Sequence, residues 1–204
     1  MKNYVIDIET DADYAFLTDS GIEDAWKIGI EAPANYKDPE KIENYIANAI
    51  TKKLEGAKNN PLSGRIVAVH VADFEGGAWM FAGEDEAVIM LDLADFFFDQ
   101  KGGMSRLIGW NVRRRTLPYL AVKVAQHKIN WPSKCSLNAK DWKNVVDLSD
   151  DLGLVGEFDW WCLRFGLESG DGDATKRVEA MVEMSKCLSH AYPWKFSQEA
   201  RSYE

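Results

Sequence analysis

The sequence predicts a mixed α/β fold in a single domain, and three observations lead to that prediction. A β-branched segment stands near the N-terminus, a strand–turn–strand pattern follows at 65–81, and apolar residues at helical spacing alternate with short strands after it. The length of 204 residues suits one domain with a well-buried core and is short for two domains of ordinary size.

In the N-terminal half, residues 4–9 alternate apolar and acidic side chains and are predicted to form a strand. Residues 11–36 are polar and are interpreted as a long irregular connection. A helix is expected next, with Asp38 as its N-cap and Pro39 at its first position, because apolar residues then recur every three or four positions until Gly56.

The rest of the chain is predicted to alternate strands and helices. Gly76 and Gly77 provide the turn of a hairpin. In order along the chain, we expect strands at 65–72 and 78–81, a helix at 85–100, a strand at 106–111, a helix at 117–126, a strand at 145–147, and helices at 158–165 and 174–190.

Composition and charge exclude several classes of protein. Apolar residues make up 46% of the chain and aromatic residues 12%, which excludes a disordered polymer. The formal net charge of −9 excludes a broad basic surface for nucleic acid, because phosphate neutralisation needs clustered Lys and Arg. The three cysteines are widely separated and are interpreted as reduced thiols.

Residues 1–10 lack the basic start and apolar core of a signal peptide, and no apolar run approaches the roughly 18 residues that a membrane span needs. We therefore expect a cytoplasmic protein with no membrane partner.

Asp7-Ile8-Glu9-Thr10 carries the first chemical signal. Residues two apart on a strand point to the same side, so Asp7 and Glu9 present a pair of carboxylates there. Such a pair can share one or two divalent cations, because Mg²⁺ prefers hard oxygen ligands. An acidic strand end that merely faces solvent is the alternative.

Four segments, in order, resemble the DnaQ-like (DEDD) superfamily of 3′→5′ exonucleases, and within it the small stand-alone exonucleases of phages and prophages. The segments are Asp7-Ile8-Glu9-Thr10, residues 36–66, the stretch 109–120 that starts Gly-Trp-Asn, and the stretch 165–172. The resemblance implies a ribonuclease-H-like mixed β-sheet flanked by α-helices at 1–192, a C-terminal tail at 193–204, and a phage-encoded protein inside a bacterial host.

The resemblance also implies an activity, the hydrolysis of single-stranded DNA or RNA from the 3′ end with Mg²⁺ or Mn²⁺. In two-metal chemistry one ion activates the attacking water and the other stabilises the leaving oxygen. Asp7 and Glu9 match the family's first two metal ligands and catalytic carboxylates. The residues expected to contact nucleic acid are Thr10, Asn111, Arg113, Arg114, Arg115 and Thr116. The three arginines are included because guanidinium groups suit phosphate, although a solvated helix start is an equal alternative.

Two of the family's four carboxylates are missing from this sequence. The aspartate of the second motif falls on Thr116, a neutral side chain. In the last helix the best register places Lys186 and His190 at the family's Tyr or His and Asp, so His190 is the remaining catalytic candidate. Imidazole can ligate Mn²⁺ or Zn²⁺ but binds Mg²⁺ poorly.

Replacement ligands are also considered. If the register slips by about two helical turns, Glu179 or Glu183 supplies a carboxylate, although a solvated acidic helix face is the favoured alternative for them. Asp147, at the end of a predicted strand, is either a further ligand or a structural cap.

Three hypotheses therefore remain from the sequence. The protein is an active metal-dependent exonuclease, a degenerate relative that binds single strands without cleaving them, or a pseudo-enzyme that binds a protein partner by imitating nucleic-acid charge. The missing carboxylates favour the last two and predict weak or absent cleavage. Of these, the net charge favours the protein-binding form, and the run of arginines favours the strand-binding form.

Overall fold

The computed structural model describes residues 1–100, 103–154, 156–170, 173–192 and 196. The predicted tail at 193–204 lies outside the described residues except for Phe196, so the predicted domain boundary stays a prediction. The chain forms two compact units, one made of Met1–Glu9 and Ile66–Glu204 and the other of Thr10–Arg65. In the part of the chain that the structure describes, no helix is long and apolar enough to cross a membrane.

A five-stranded mixed sheet organises the molecule, with the strand order β3-β2-β1-β4-β5. β1 pairs in parallel with β4, β4 pairs in parallel with β5, and β2 and β3 form the predicted antiparallel hairpin. The strands are β1 (Lys2–Ala12), β2 (Gly64–Asp73), β3 (Ala78–Ala82), β4 (Ser105–Gly109) and β5 (Val145–Asp147). With helices flanking the sheet, this arrangement is compatible with a ribonuclease-H-like fold and confirms the predicted fold class.

Helices form most of the remaining regular structure. They are α1 (Tyr14–Asp19), α2 (Ile22–Gly29), α3 (Pro39–Lys58), α4 (Glu86–Asp99), α5 (Leu117–Gln126), α6 (Phe158–Phe165) and α7 (Ala174–Ala191), and the π-helical segment Val112–Thr116 precedes α5. The helices predicted for the second half are confirmed to within one residue at each end. The π-helical segment was not predicted.

Both faces of the central strand β1 are buried. Tyr4 and Ile6 belong to one hydrophobic cluster with Phe97 of α4, whereas Val5 belongs to a second cluster with Met181 of α7. This division follows from the strand geometry, since successive side chains point to opposite faces of a sheet. The carboxylates that follow on β1 are therefore carried by a strand held from both sides.

The prediction of an irregular connection at 11–36 is wrong, because the structure has two short helices there. Asp13 caps α1 by accepting a hydrogen bond from the Phe16 N–H at 3.0 Å. Leu17 is fully buried in a small cluster with Trp26 of α2 and Leu54 of α3. No side chain of α2 is fully buried, although Ile22 and Trp26 pack partly against this cluster. The helix has only eight residues and begins after Gly21 without a side-chain cap, so the sequence lacks a start signal for it.

α3 begins as predicted. Asp38 is the N-cap and accepts a hydrogen bond from the Glu40 N–H at 3.1 Å, and Pro39 occupies the first helical position. The helix continues through Gly56 to Lys58, two residues beyond the predicted end.

The cysteines allow a direct test of the core. Cys135 and Cys162 are buried and Cys187 is exposed. Burial raises the pKa of the Cys135 thiol to about 12 and that of Cys162 to about 11. Because the thiolate is the reactive form, iodoacetamide at about pH 8 should alkylate Cys187 in the folded protein and all three thiols in urea. Mass spectrometry of the peptides measures this, and rapid native alkylation of Cys135 would contradict the packing.

Candidate functional site

Asp7 and Glu9 follow the part of β1 that pairs with β4, and they lie on the same side of the strand, as predicted. Asp7 is 6% exposed, whereas the side chain of Glu9 is 47% exposed. The parallel neighbour β4 ends in the same direction, so the loop that begins at Asn111 lies at the same edge of the sheet. The segment Asp7-Ile8-Glu9-Thr10 and the segment that starts at Asn111 are thus brought to one edge of the sheet.

A guanidinium group is paired with Asp7. Nε of Arg177, in the first turns of α7, lies 3.2 Å from Oδ2 of Asp7. The same guanidinium lies over the ring of Phe158, 5.3 Å from its centroid. A carboxylate this buried needs a counter-charge, and Arg177 supplies it.

Glu9 is paired with a histidine. Oε1 of Glu9 lies 2.7 Å from Nε2 of His70 on β2, and the other ring nitrogen of His70 lies 3.2 Å from Oγ1 of Thr175 on α7. His70 is 4% exposed, so these two contacts fix its ring between two strands and a helix. Both carboxylates of the first motif therefore have a nitrogen partner from the protein.

Arg113, the first arginine of the run, has its partners inside the fold. The side chain is buried, and Nη2 donates to the Val145 carbonyl at 2.6 Å and to Asp151 at 3.0 Å. Its guanidinium also stacks on the ring of Trp142 at 4.1 Å. Arg113 therefore holds the fold together, and its predicted contact with nucleic acid stays a prediction.

The other two arginines of the run are more accessible. Arg114 is 74% exposed at its side chain and forms an ion pair with Asp150 at 3.0 Å. Arg115 is half-buried, and its Nη2 donates to the Ile8 carbonyl at 3.4 Å, between the two carboxylates of β1. Arg115 is thus a second guanidinium beside the first motif.

The second motif is organised by Asp147, which is fully buried. Its carboxylate accepts hydrogen bonds from the backbone N–H groups of Asn111 at 3.1 Å and Arg113 at 2.9 Å. Asn111 has a left-handed backbone with φ of 52°, and its side-chain oxygen accepts a hydrogen bond from Ser149 at 2.8 Å. Of the two predicted roles for Asp147, the structure supports the structural cap.

Two threonines, Thr10 and Thr116, are among the residues predicted to contact nucleic acid. Thr116, which stands where the family has an aspartate, is buried at the end of the π-helical segment. Thr10 follows Glu9 within β1 and is half-buried. No side-chain contact of either threonine assigns it a chemical task, so their nucleic-acid contacts remain predictions.

The structure does not bring Lys186 or His190 to the carboxylates. His190 lies in the last turn of α7, thirteen residues after Arg177, which is roughly 20 Å along a helix. Lys186 instead forms an ion pair with Glu183 at 2.7 Å on an exposed helix face. Glu179 lines a small cavity of about 120 Å³ with His70 and Thr175.

The sequence contained one signal for the observed register of α7. Asp173 is its N-cap and accepts a hydrogen bond from the Lys176 N–H at 3.2 Å. Gly170 has a φ of +67° and lies so close to the first turn that a Cβ would be 2.8 Å from the Arg177 nitrogen. A glycine followed by an aspartate cap marks the start of the helix, which places Thr175 and Arg177 in its first turns.

The residues around Asp7 and Glu9 do not fit a two-metal centre. Oδ2 of Asp7 and Oε1 of Glu9 are engaged by Arg177 and His70. Thr116, at the position that the sequence resemblance assigns to a third ligand, is buried and neutral. Among the described residues, no group of three or more His, Cys, Asp or Glu side chains is arranged to hold a metal ion. Divalent ions of this kind need several free oxygen ligands.

Comparisons with known proteins support the fold. No protein-family model matches the chain, and no curated protein matches it. The structure is similar to that of the family B DNA polymerase from the hyperthermophilic archaeon Pyrobaculum calidifontis, with a TM-score of 0.52 and 15% sequence identity over 92% of this chain. The chain spans 24% of the polymerase. At this identity the likeness shows a shared α/β fold and nothing more specific.

Proposed function

We propose that this protein binds single-stranded nucleic-acid ends without hydrolysing them, as a non-catalytic relative of the DnaQ-like exonucleases. The observation that carries the proposal is the ion pair of Arg177 with Asp7, formed by the carboxylate that the sequence resemblance assigns to a metal. The shared fold with a DNA polymerase is consistent with a role that involves nucleic acid.

The charged groups around Asp7 and Glu9 support both parts of the proposal, the binding of nucleic acid and the absence of hydrolysis. A bound divalent ion lowers the pKa of its water to near 7, far below that of free water, so a site whose residues do not hold such ions lacks this nucleophile at neutral pH. The guanidiniums of Arg177 and Arg115 supply positive charge beside Asp7 and Glu9 instead. Guanidinium groups bind phosphate through charge-assisted hydrogen bonds and need no metal for it.

The test is a titration of a 3′-fluorescein-labelled oligothymidylate, followed by fluorescence anisotropy in EDTA and in Mg²⁺. We expect equal affinity in both buffers and no shortening of the strand with Mg²⁺ or Mn²⁺. Arg177→Ala and Arg115→Ala should each weaken binding by about tenfold, because each removes a charge-assisted contact. Arg164→Ala removes the same charge from an exposed position on α6 and should change the affinity by less than about twofold.

Two outcomes would reject the proposal. Cleavage that requires Mg²⁺ or Mn²⁺ and is lost in Asp7→Ala would establish a working nuclease. Absence of binding at about 50 mM salt, where phosphate contacts are strong, would exclude a strand-binding site.

A second candidate function is the binding of a protein partner through an acidic surface that imitates nucleic acid. The net charge of −9 favours it. This function predicts no oligonucleotide binding at low salt, together with salt-sensitive binding of a lysine-rich peptide. The same titration therefore separates the two candidates.

A further inference from the structure

An apolar stripe runs along the first turns of α3. Pro39, Ile42, Ile46, Ala47 and Ile50 line an open groove, and all of its lining residues belong to α3 itself. The isoleucines are half-buried, and most of the neighbouring positions are exposed. The apolar face of a helix is normally covered by another element, so this stripe presents a docking surface.

Two charges of opposite sign lie on the same face as the stripe. Glu43, Ile46, Ile50 and Lys53 follow one another at spacings of three, four and three, which places them along one face of the helix. The midpoint of this set is Asn48. An antiparallel second helix centred on Asn48 brings Ile46 opposite Ile50 and Glu43 opposite Lys53. A parallel pairing of the same face would instead place Glu43 beside Glu43 and Lys53 beside Lys53 of the second copy, which is repulsive.

We propose that α3 pairs antiparallel with α3 of a second copy of this chain, in a dimer with two-fold symmetry. In a symmetric interface each contact occurs twice, so Ile46 packs against Ile50 and Glu43 pairs with Lys53 on both sides of the axis. A complementary pattern within one helix favours a second copy over an unrelated partner, whose charges would not need this symmetry. One helix pair buries less than the roughly 1,600 Å² of a standard interface, so the dissociation constant should be micromolar.

The experiment is sedimentation velocity of the full chain over a range of about 2 to 200 µM, which brackets a micromolar dissociation constant. We expect a dimer in the wild type and a dissociation constant at least about tenfold higher in Glu43→Lys and in Lys53→Glu, because each variant faces two like-charged pairs. An equimolar mixture of the two variants should dimerise like the wild type. In that heterodimer each charged level pairs a lysine of one variant with a glutamate of the other.

Matched variants separate this interface from general effects of charge. Lys52→Glu reverses a charge on the same helix but off the stripe, and it should leave the dimer unchanged. Ile46→Glu should abolish the dimer without rescue by mixing. Lys53→Glu also removes the contact of Lys53 with the Trp26 ring at 5.4 Å, so thermal unfolding checks its fold and the mixture provides the decisive readout.

Three results would overturn the proposal. The first is a wild type that stays monomeric at every concentration, even if another protein binds the stripe. The second is a dimer that forms equally well in both charge-reversal variants. The third is an equimolar mixture of the two folded variants that stays monomeric. The test does not depend on nucleic-acid binding, so its failure and that of the proposed function are distinguishable.

Discussion

Arg113→Met is expected to lower the free energy of unfolding by about 4 kcal/mol, because it breaks a buried ion pair and leaves the partner charge uncompensated. The side chain of Asp151 is 0% exposed, and Arg113 pairs with it at 3.0 Å. The Val145 carbonyl would also lose a hydrogen bond of 2.6 Å in the core. Urea denaturation followed by circular dichroism measures the change.

The neighbouring arginine is the control. Arg114→Met removes the same group from an ion pair that is largely exposed, and it should cost less than about 1 kcal/mol. If Arg113→Met does not fold, Arg113→Lys keeps the charge without the planar fork and should still be destabilised. Equal and small effects of the two methionine variants would show that Arg113 is not the buried anchor described above.

Arg177→Met is expected to lower the free energy of unfolding by about 2 kcal/mol, less than Arg113→Met because the Arg177 side chain is 31% exposed. The loss arises because the buried carboxylate of Asp7 is left without its counter-charge. Urea denaturation followed by circular dichroism measures the change.

A double-mutant cycle isolates the pair. Asp7→Asn removes the buried charge, so adding Arg177→Met to Asp7→Asn should cost at least about 1 kcal/mol less than adding it to the wild type. Additive effects would mean that Arg177 stabilises α7 through Phe158 alone and not through Asp7.

The fold was predictable wherever local chemistry and periodicity agree. The N-cap at Asp38, the glycine turn at Gly76 and the helical spacing after Asp85 each specify an element without reference to the rest of the chain. Residues 14–29 were missed because α1 and α2 have only six and eight residues, and α2 begins after Gly21 without a side-chain cap. Helices this short depend on tertiary packing for their stability.

The sequence predicted the two carboxylates of the candidate site but not the residues that pair with them. Asp7 and Glu9 share a side of β1 because of strand geometry alone. His70 and Arg177 reach them from β2 and α7 across 61 and 170 residues of sequence. The burial of Arg113 could not be predicted either, because the sequence does not show which of three consecutive arginines the fold will bury.

The edge strand β3 has a consequence for how the protein behaves in concentrated solution. Its sequence, Ala-Trp-Met-Phe-Ala, has no charged residue and no proline, and Met80 is 63% exposed. An exposed edge strand of this kind can pair with the edge of another chain unless the chains are kept apart. In this protein the net charge of −9 makes the chains repel one another and so opposes that pairing. Colloidal stability therefore depends on the carboxylates of the whole surface, and it declines as acid protonates them.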